Sequence, residues 1–144
     1  MSNRDQKEIF LNEEGDSWFN RNKCHDSQYL DKVPPFLELL LKYIDKNSKV
    51  LEIGCCNGRN LKYIREKTGA ECYGIEPSEK AVEFGSLNFS DIKLNIGTAD
   101  DLPFKADFFD FVFFGFCLYL IDRKLLSKTI AEADRVLKSD SFLA

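Results

Sequence analysis

The sequence has little that would carry it to a membrane, a metal or a nucleic acid. Its longest apolar run, Phe111 to Ile121, is 11 residues and is broken by Gly115, whereas a membrane helix needs about 20. It has one histidine, His25, beside Cys24, and no Cys-x-x-Cys, so the spacing of a zinc site is missing. No basic block exceeds two neighbours, and 20 Lys and Arg stand against 24 Asp and Glu. The net charge of −4 gives no electrostatic footprint for a nucleic acid. Met1, Ser2, Asn3, Arg4 and Asp5 have no apolar h-region, so no secretory leader is expected. The five cysteines are odd in number and scattered, which reads as free thiols in a reducing, cytoplasmic compartment.

What is present is an ordinary globular composition, 44% apolar and 31% charged over 144 residues, which suits one domain. Thirteen phenylalanines stand out, seven of them between Phe104 and Phe116. Residues 1–30 read as a polar arm with isolated large side chains (Phe10, Leu11, Trp18, Phe19) lying over something else. From Asp31 the spacing predicts a helix, with Pro34 and Pro35 in its first turn and Phe36, Leu37, Leu40, Leu41 and Ile44 at three- and four-residue intervals.

Strands and helices then alternate. Lys49–Gly54 reads as a strand and Asn60–Lys67 as a helix. Glu71–Glu76 reads as a second strand, and Pro77-Ser78 opens a second helix through Ala81 and Phe84. Ile92–Ile96 and Phe109–Phe114 are further strands, the latter apolar on both faces apart from Asp110, as a central parallel strand should be. Leu125–Leu137 reads as a helix with Leu126, Ile130, Ala133 and Leu137 on one face. The tail, Ser139 to Ala144, resembles a turn entering a fifth strand. This order predicts a Rossmann-like, doubly wound, mainly parallel α/β sheet with helices on both faces.

The chemistry gathers at strand ends. Val50-Leu51-Glu52-Ile53-Gly54-Cys55-Cys56-Asn57-Gly58 runs from strand through tight loop to helix, where open α/β sheets bind ligands. Glu52 is an acid in an apolar strand, costly to bury unless something pairs with it. Glu76, 22 residues past Gly54, ends the second strand, where an acid can take two ribose hydroxyls; a helix-capping role is the alternative. Gly97-Thr98-Ala99-Asp100-Asp101 follows the third strand, where a purine would lie, or forms a solvated turn. A nicotinamide fingerprint has G-x-G-x-x-G; here Gly54 and Gly58 frame three other residues, which disfavours a nicotinamide-binding domain. No Lys-Ser/Thr follows the loop, so it is not a P-loop.

Taken together these motifs resemble the class I S-adenosylmethionine-dependent methyltransferases of the small-molecule branch. Glu52, Gly54 and Gly58 match the first motif, with Cys56 where its middle glycine usually stands, and Glu76 matches the second. The Thr98–Phe104 segment, Phe109-Asp110-Phe111-Val112 and Ala133-Asp134-Arg135-Val136-Leu137-Lys138 resemble later motifs, so the likeness covers roughly 48–144. The arm segment Glu14 to Asn22 is similar to the N-terminal cover of methyltransferases from sugar and surface-polysaccharide pathways.

The resemblance implies S-adenosyl-L-methionine as cofactor and a small-molecule methyl acceptor, with a sugar-derived metabolite as one class. It implies Glu52, Gly54, Cys55 and Gly58 around the methionine part. Glu76 would lie at the ribose, and Pro77 or Ser78 beside the adenine. Thr98, Ala99 and Asp100 fall at the adenine edge, and Gly115, Phe116 and Cys117 near the sulfonium and acceptor. Trp18, Arg21 and Asn22 would close over the cofactor, Arg21 pairing with its carboxylate; simple anchoring of the arm is the alternative for Trp18. No general base is nominated. The family sheet has seven strands in order 3-2-1-4-5-7-6, so a domain over 31–144 would lack the last strands. A cofactor-binding but inactive module or fragment is therefore the competing reading.

Overall fold

The computed structural model describes residues 5–144, so Met1, Ser2, Asn3 and Arg4 of the expected arm lie outside the described residues. Five strands, β1 (Lys49–Ile53), β2 (Glu71–Glu76), β3 (Lys93–Ile96), β4 (Phe109–Phe114) and β5 (Leu137–Leu143), form one sheet. Its order is β3-β2-β1-β4-β5, with every pairing parallel. The chain builds outward from β1 to β3, then crosses back to lay β4 on the other side of β1. That reversal opens a crevice beyond the carboxyl ends of β1 and β4.

Alternation along the strands feeds two cores. Val50, Cys72, Phe111 and Phe113 face one way, against Leu37, Leu61 and Ile64. Leu51, Ile53, Ile75 and Val112 face the other, against Ala133 and Val136. Leu61 and Ile64 are fully buried by α5 (Arg59–Thr68), each contributing about 1.5–3 kcal/mol. The phenylalanine-rich segment splits between the faces: Tyr73 meets Phe104, Phe108 and Phe109 edge-on at 5.9, 5.5 and 5.3 Å between centroids.

Three elements differ from the sequence reading. The helix expected from Asp31 is only α4 (Phe36–Leu40), by way of which the chain passes into a 3-10 turn, Leu41–Tyr43. Val33 and Pro34 each precede a proline, which disfavours helical backbone there. The last helix (Leu126–Val136) buries Thr129, Ala133 and Val136, while Ile130 is 43% exposed. Leu137 has already left that helix as the first residue of β5, so the expected face was one residue out of phase. The fifth strand likewise starts earlier than the tail suggested; Asp140, at φ +62°, and a register shift between Phe109 and Phe111 mark the irregularity inside it.

The arm comprises α1 (Gln6–Ile9), a π turn (Phe10–Glu14), α2 (Gly15–Arg21) and α3 (Ser27–Leu30). It docks on α6 (Glu79–Asn88) through Phe19, Cys24 and Ala81, with Trp18, Cys56 and Phe84 packed around them. Asp16 fixes the join, its Oδ1 accepting from Ser78 Oγ at 2.7 Å and from Lys80 N at 3.1 Å. Among the described residues no helix is long and apolar enough to cross a membrane.

Candidate functional site

A cleft of about 290 Å³ opens beyond β1 and β4 and is roofed by the arm. Its floor is set by two close backbone approaches. Gly54 leaves β1 at φ +75°, where a Cβ would fall 2.7 Å from the Cys117 side chain. A Cβ on Gly115, just past β4, would fall 2.5 Å from Gly54 O and 2.6 Å from Glu52 Oε1. The two loops therefore touch, and only residues without a side chain let them do so. Amides seal the junction: Gly54 and Cys55 both donate to Ile75 O at 2.9 and 3.2 Å, and Gly115 donates to Ile53 O at 2.8 Å.

Glu52 is buried in this floor. Asn60 Nδ2 donates to its Oε1 at 2.7 Å, while Oε2 has no partner. Burial pushes the carboxyl up to about 8, with Glu76 adding to the rise and the Asn60 hydrogen bond and Arg59 charge opposing it. At the end of β2, Glu76 accepts from Cys56 N at 2.9 Å and Ser78 N at 3.0 Å. Its pKa is raised, mainly by burial. Asp100 meets the arm through Lys7 Nζ at 2.9 Å. Burial works against its ionisation, yet hydrogen bonds from Lys7 and Thr98 and the Lys7 charge bring its pKa below the ordinary value.

Trp18, Glu52, Gly54, Cys55, Glu76 and Pro77 all line the cleft, as do Thr98, Ala99, Asp100, Gly115 and Cys117. Trp18 also packs against the Phe19–Cys24–Ala81 cluster, so lining and anchoring coincide in one side chain. Three residues are not brought there. Gly58 lies beneath the loop at φ +80°, capping α5, where a Cβ would meet Ile92 Cδ1 at 2.5 Å. Arg21 is on the exposed side of α2, paired with Glu14, and Asn22 donates to Trp18 O at 2.9 Å.

Sequence reading missed Lys7, Phe10, Arg59, Asn60 and Thr129, which also line the cleft. Lys7 and Phe10 arrive through the folding of the arm, and nothing local announces that. Thr129 left a trace: it is a polar residue on the buried face of a helix, and its Oγ1 has no hydrogen-bond partner. No group of three or more His, Cys, Asp or Glu able to hold a metal occurs among the described residues.

Residues 51–144 match a family model described as "Methyltransferase domain". The chain belongs to the methyltransferase family. An uncharacterized methyltransferase of Synechocystis sp. is 31% identical over 101 residues, 70% of this chain and 47% of that protein. A demethylmenaquinone methyltransferase of Staphylococcus carnosus is 34% identical over 101 residues, 66% of this chain and 41% of that one. A solved Thermotoga maritima structure, titled as an SAM-dependent methyltransferase and possible histamine N-methyltransferase, superposes with a TM-score of 0.60. It is 25% identical, and the match covers 96% of this chain and 58% of that one. This methyltransferase chain thus spans about half the length of the curated relatives it matches. Its five strands correspond to the first five of the family order, 3-2-1-4-5.

Proposed function

We propose that this chain is the cofactor-binding part of an S-adenosylmethionine-dependent methyltransferase acting on a small-molecule acceptor. The observation that carries the reading is the buried Glu52 carboxylate with Oε2 unpartnered in the cleft floor, a position that calls for a cationic ligand group. The family's cofactor, S-adenosylmethionine, has such a group in its methionyl ammonium, and the residues present fit the rest of it. The Gly54–Gly115 contact leaves a surface without side chains beside Cys117, and Glu76 retains lone pairs for ribose hydroxyls. Thr98, Ala99, Pro77 and Thr129 also line the cleft.

Once bound, the cofactor supplies an electrophilic methyl group on a sulfonium. The chain's own task is to orient it and exclude water. Glu52 takes the ammonium, and Arg59, in the cleft wall close enough to act on Glu52, takes the carboxylate in place of Arg21. The described part of the arm, residues 5–30, is a cover fastened by Lys7–Asp100 and Asp16–Ser78. An acceptor of small size suits a cleft of about 290 Å³. A sugar-derived acceptor rests on the likeness of the arm alone, and the Staphylococcus relative is named for a quinone precursor. The odd number and scattered placement of the five cysteines support a reducing, cytoplasmic setting.

Thermal shift tests the reading. S-adenosylhomocysteine at about 100 times its dissociation constant should stabilise the chain by about 2.7 kcal/mol, and NAD should not. Stabilisation by NAD alone would overturn it.

A further inference from the structure

The sequence puts a cysteine where the family's loop usually has glycine, and Cys56 still adopts φ +50°. That conformation is disfavoured for a residue with a side chain, so what the side chain touches matters. It reaches Cys24 of the arm. Cys56 packs against the buried cluster of Phe19, Cys24 and Ala81, close enough to Cys24 for that thiol to raise its pKa. The next residue ties the two segments together, with Asn57 Nδ2 donating to Cys24 O at 2.7 Å. Cys56 is also part of the cleft wall, which gives it access from the ligand side.

The other three cysteines are turned elsewhere. Cys117 Sγ donates to Ile53 O at 3.2 Å and Cys72 Sγ to Ala70 O at 3.6 Å. Cys55 Sγ, 3.7 Å from Cys56 O, lies against Gly74 of β2. Two thiols from segments 32 positions apart, one on the cover and one on the loop after β1, therefore meet in one cluster.

We propose that Cys24 and Cys56 are a reversible dithiol–disulfide pair whose oxidation fastens the arm over the cleft and slows ligand exchange. The oxidant class is a low-molecular-weight disulfide. Cys56 loses its proton and attacks one sulfur of the reagent, whose S–S bond breaks and releases one thiol. Cys24 then attacks the Cys56 sulfur of the mixed disulfide and releases the second thiol. Two protein thiols are oxidised to one disulfide, and one reagent disulfide is reduced to two thiols. The neighbouring Cys24 thiol, with burial adding to its effect, holds the Cys56 thiol protonated well above its usual range. Exchange is accordingly slow at neutral pH and faster in alkali. The crosslink itself is independent of the functional reading; its effect on ligand exchange rests on the cleft being the cofactor site.

The experiment treats the whole chain with oxidised glutathione at mildly alkaline pH, followed by mass spectrometry of tryptic peptides. The expected product joins peptide 24–32 to peptide 50–59, with fragmentation placing the bond at Cys56, and dithiothreitol reverses it. Trp18, the single tryptophan, packs beside the pair and its fluorescence reports the change. Release of S-adenosylhomocysteine should slow on the order of tenfold in the oxidised form. Cys24→Ser should remove both the crosslink and the slowing, leaving binding by the reduced protein intact. Separate glutathione adducts without a crosslink, or a bond through Cys55, would overturn the pairing. An intact crosslink with unchanged release would overturn the fastening. Failure of both redox forms to bind the ligand would instead strike the functional reading, with the crosslink still scored.

Discussion

Asn60, in the first turn of α5, holds Glu52 of β1 by one oxygen only: its Nδ2 lies 2.7 Å from Oε1 and leaves Oε2 buried and unpartnered. Helix and strand are joined there by a bond that satisfies half of a carboxylate. The other half is available to a ligand, and until one binds the folded protein prefers the acid protonated.

That preference has a pH signature. Folding raises the Glu52 pKa from the usual 4.5 to about 8, so the protonated acid's contribution to stability is full below about pH 4.5 and is lost as pH rises to about 8. Burial of Glu76 acts in the same direction. Urea denaturation of the ligand-free chain should therefore show stability falling across this window. Glu52→Gln should flatten the fall and be the more stable protein near pH 8, while binding S-adenosylhomocysteine more weakly. Equal slopes for the two proteins would refute the assignment.

The two arginines should separate cleanly. Arg21 pairs with Glu14 at the surface and lies outside the cleft, whereas Arg59 is in its wall. Arg21→Ala should change S-adenosylhomocysteine affinity by less than about twofold. Arg59→Gln should weaken it on the order of tenfold by removing a charge-assisted contact. Calorimetric titration of both variants decides, and the reverse ranking would restore Arg21 to the site.

Gly115→Ala tests the contact between the ends of β1 and β4. Its methyl would lie 2.5 Å from Gly54 O and 2.6 Å from Glu52 Oε1. Overpacking of this kind costs about 1–3 kcal/mol, and the displaced Gly54 would lose its place in the cleft. A lower urea midpoint together with lost ligand binding is expected; a wild-type midpoint would show that the strand ends can part.

On the acid side, Glu132 matters most. Its hydrogen bond from Arg135 outweighs burial, and with Leu102 N at 2.8 Å the pKa falls to about 2. A lowered pKa gives stability that is complete above the usual 4.5 and lost as pH falls toward 2. Glu132→Gln should cost about 1 kcal/mol at neutral pH and reduce the acid-side slope. It should also loosen the loop 97–104 that Arg135 holds through Leu102 O and Phe104 O, readable as faster amide exchange there.

Much of this was written locally. The strands at Glu71–Glu76 and Phe109–Phe114 follow from short β-rich runs bounded by turn residues, and Glu52, Gly54 and Glu76 announced themselves by polarity or flexibility at strand ends. Such signals depend on neighbours within a few positions, so the chain order suffices to read them. Arg21 was different. Its charge suited a cofactor carboxylate, but the rotation of α2 on α6 turned it to solvent and brought Trp18 inward instead.

The sequence by itself determined the alternation of strand and helix, the strand-end acids and the glycines that leave the cleft open, because each is set by local backbone chemistry. Tertiary structure alone decided the phase of the last helix, with Thr129 inward and Ile130 outward, and the arrival of Lys7 at Asp100 and Cys24 at Cys56. Those contacts join segments far apart in the chain, and only the packing of the arm and of α7, the helix Leu126–Val136, on the sheet fixes which faces meet.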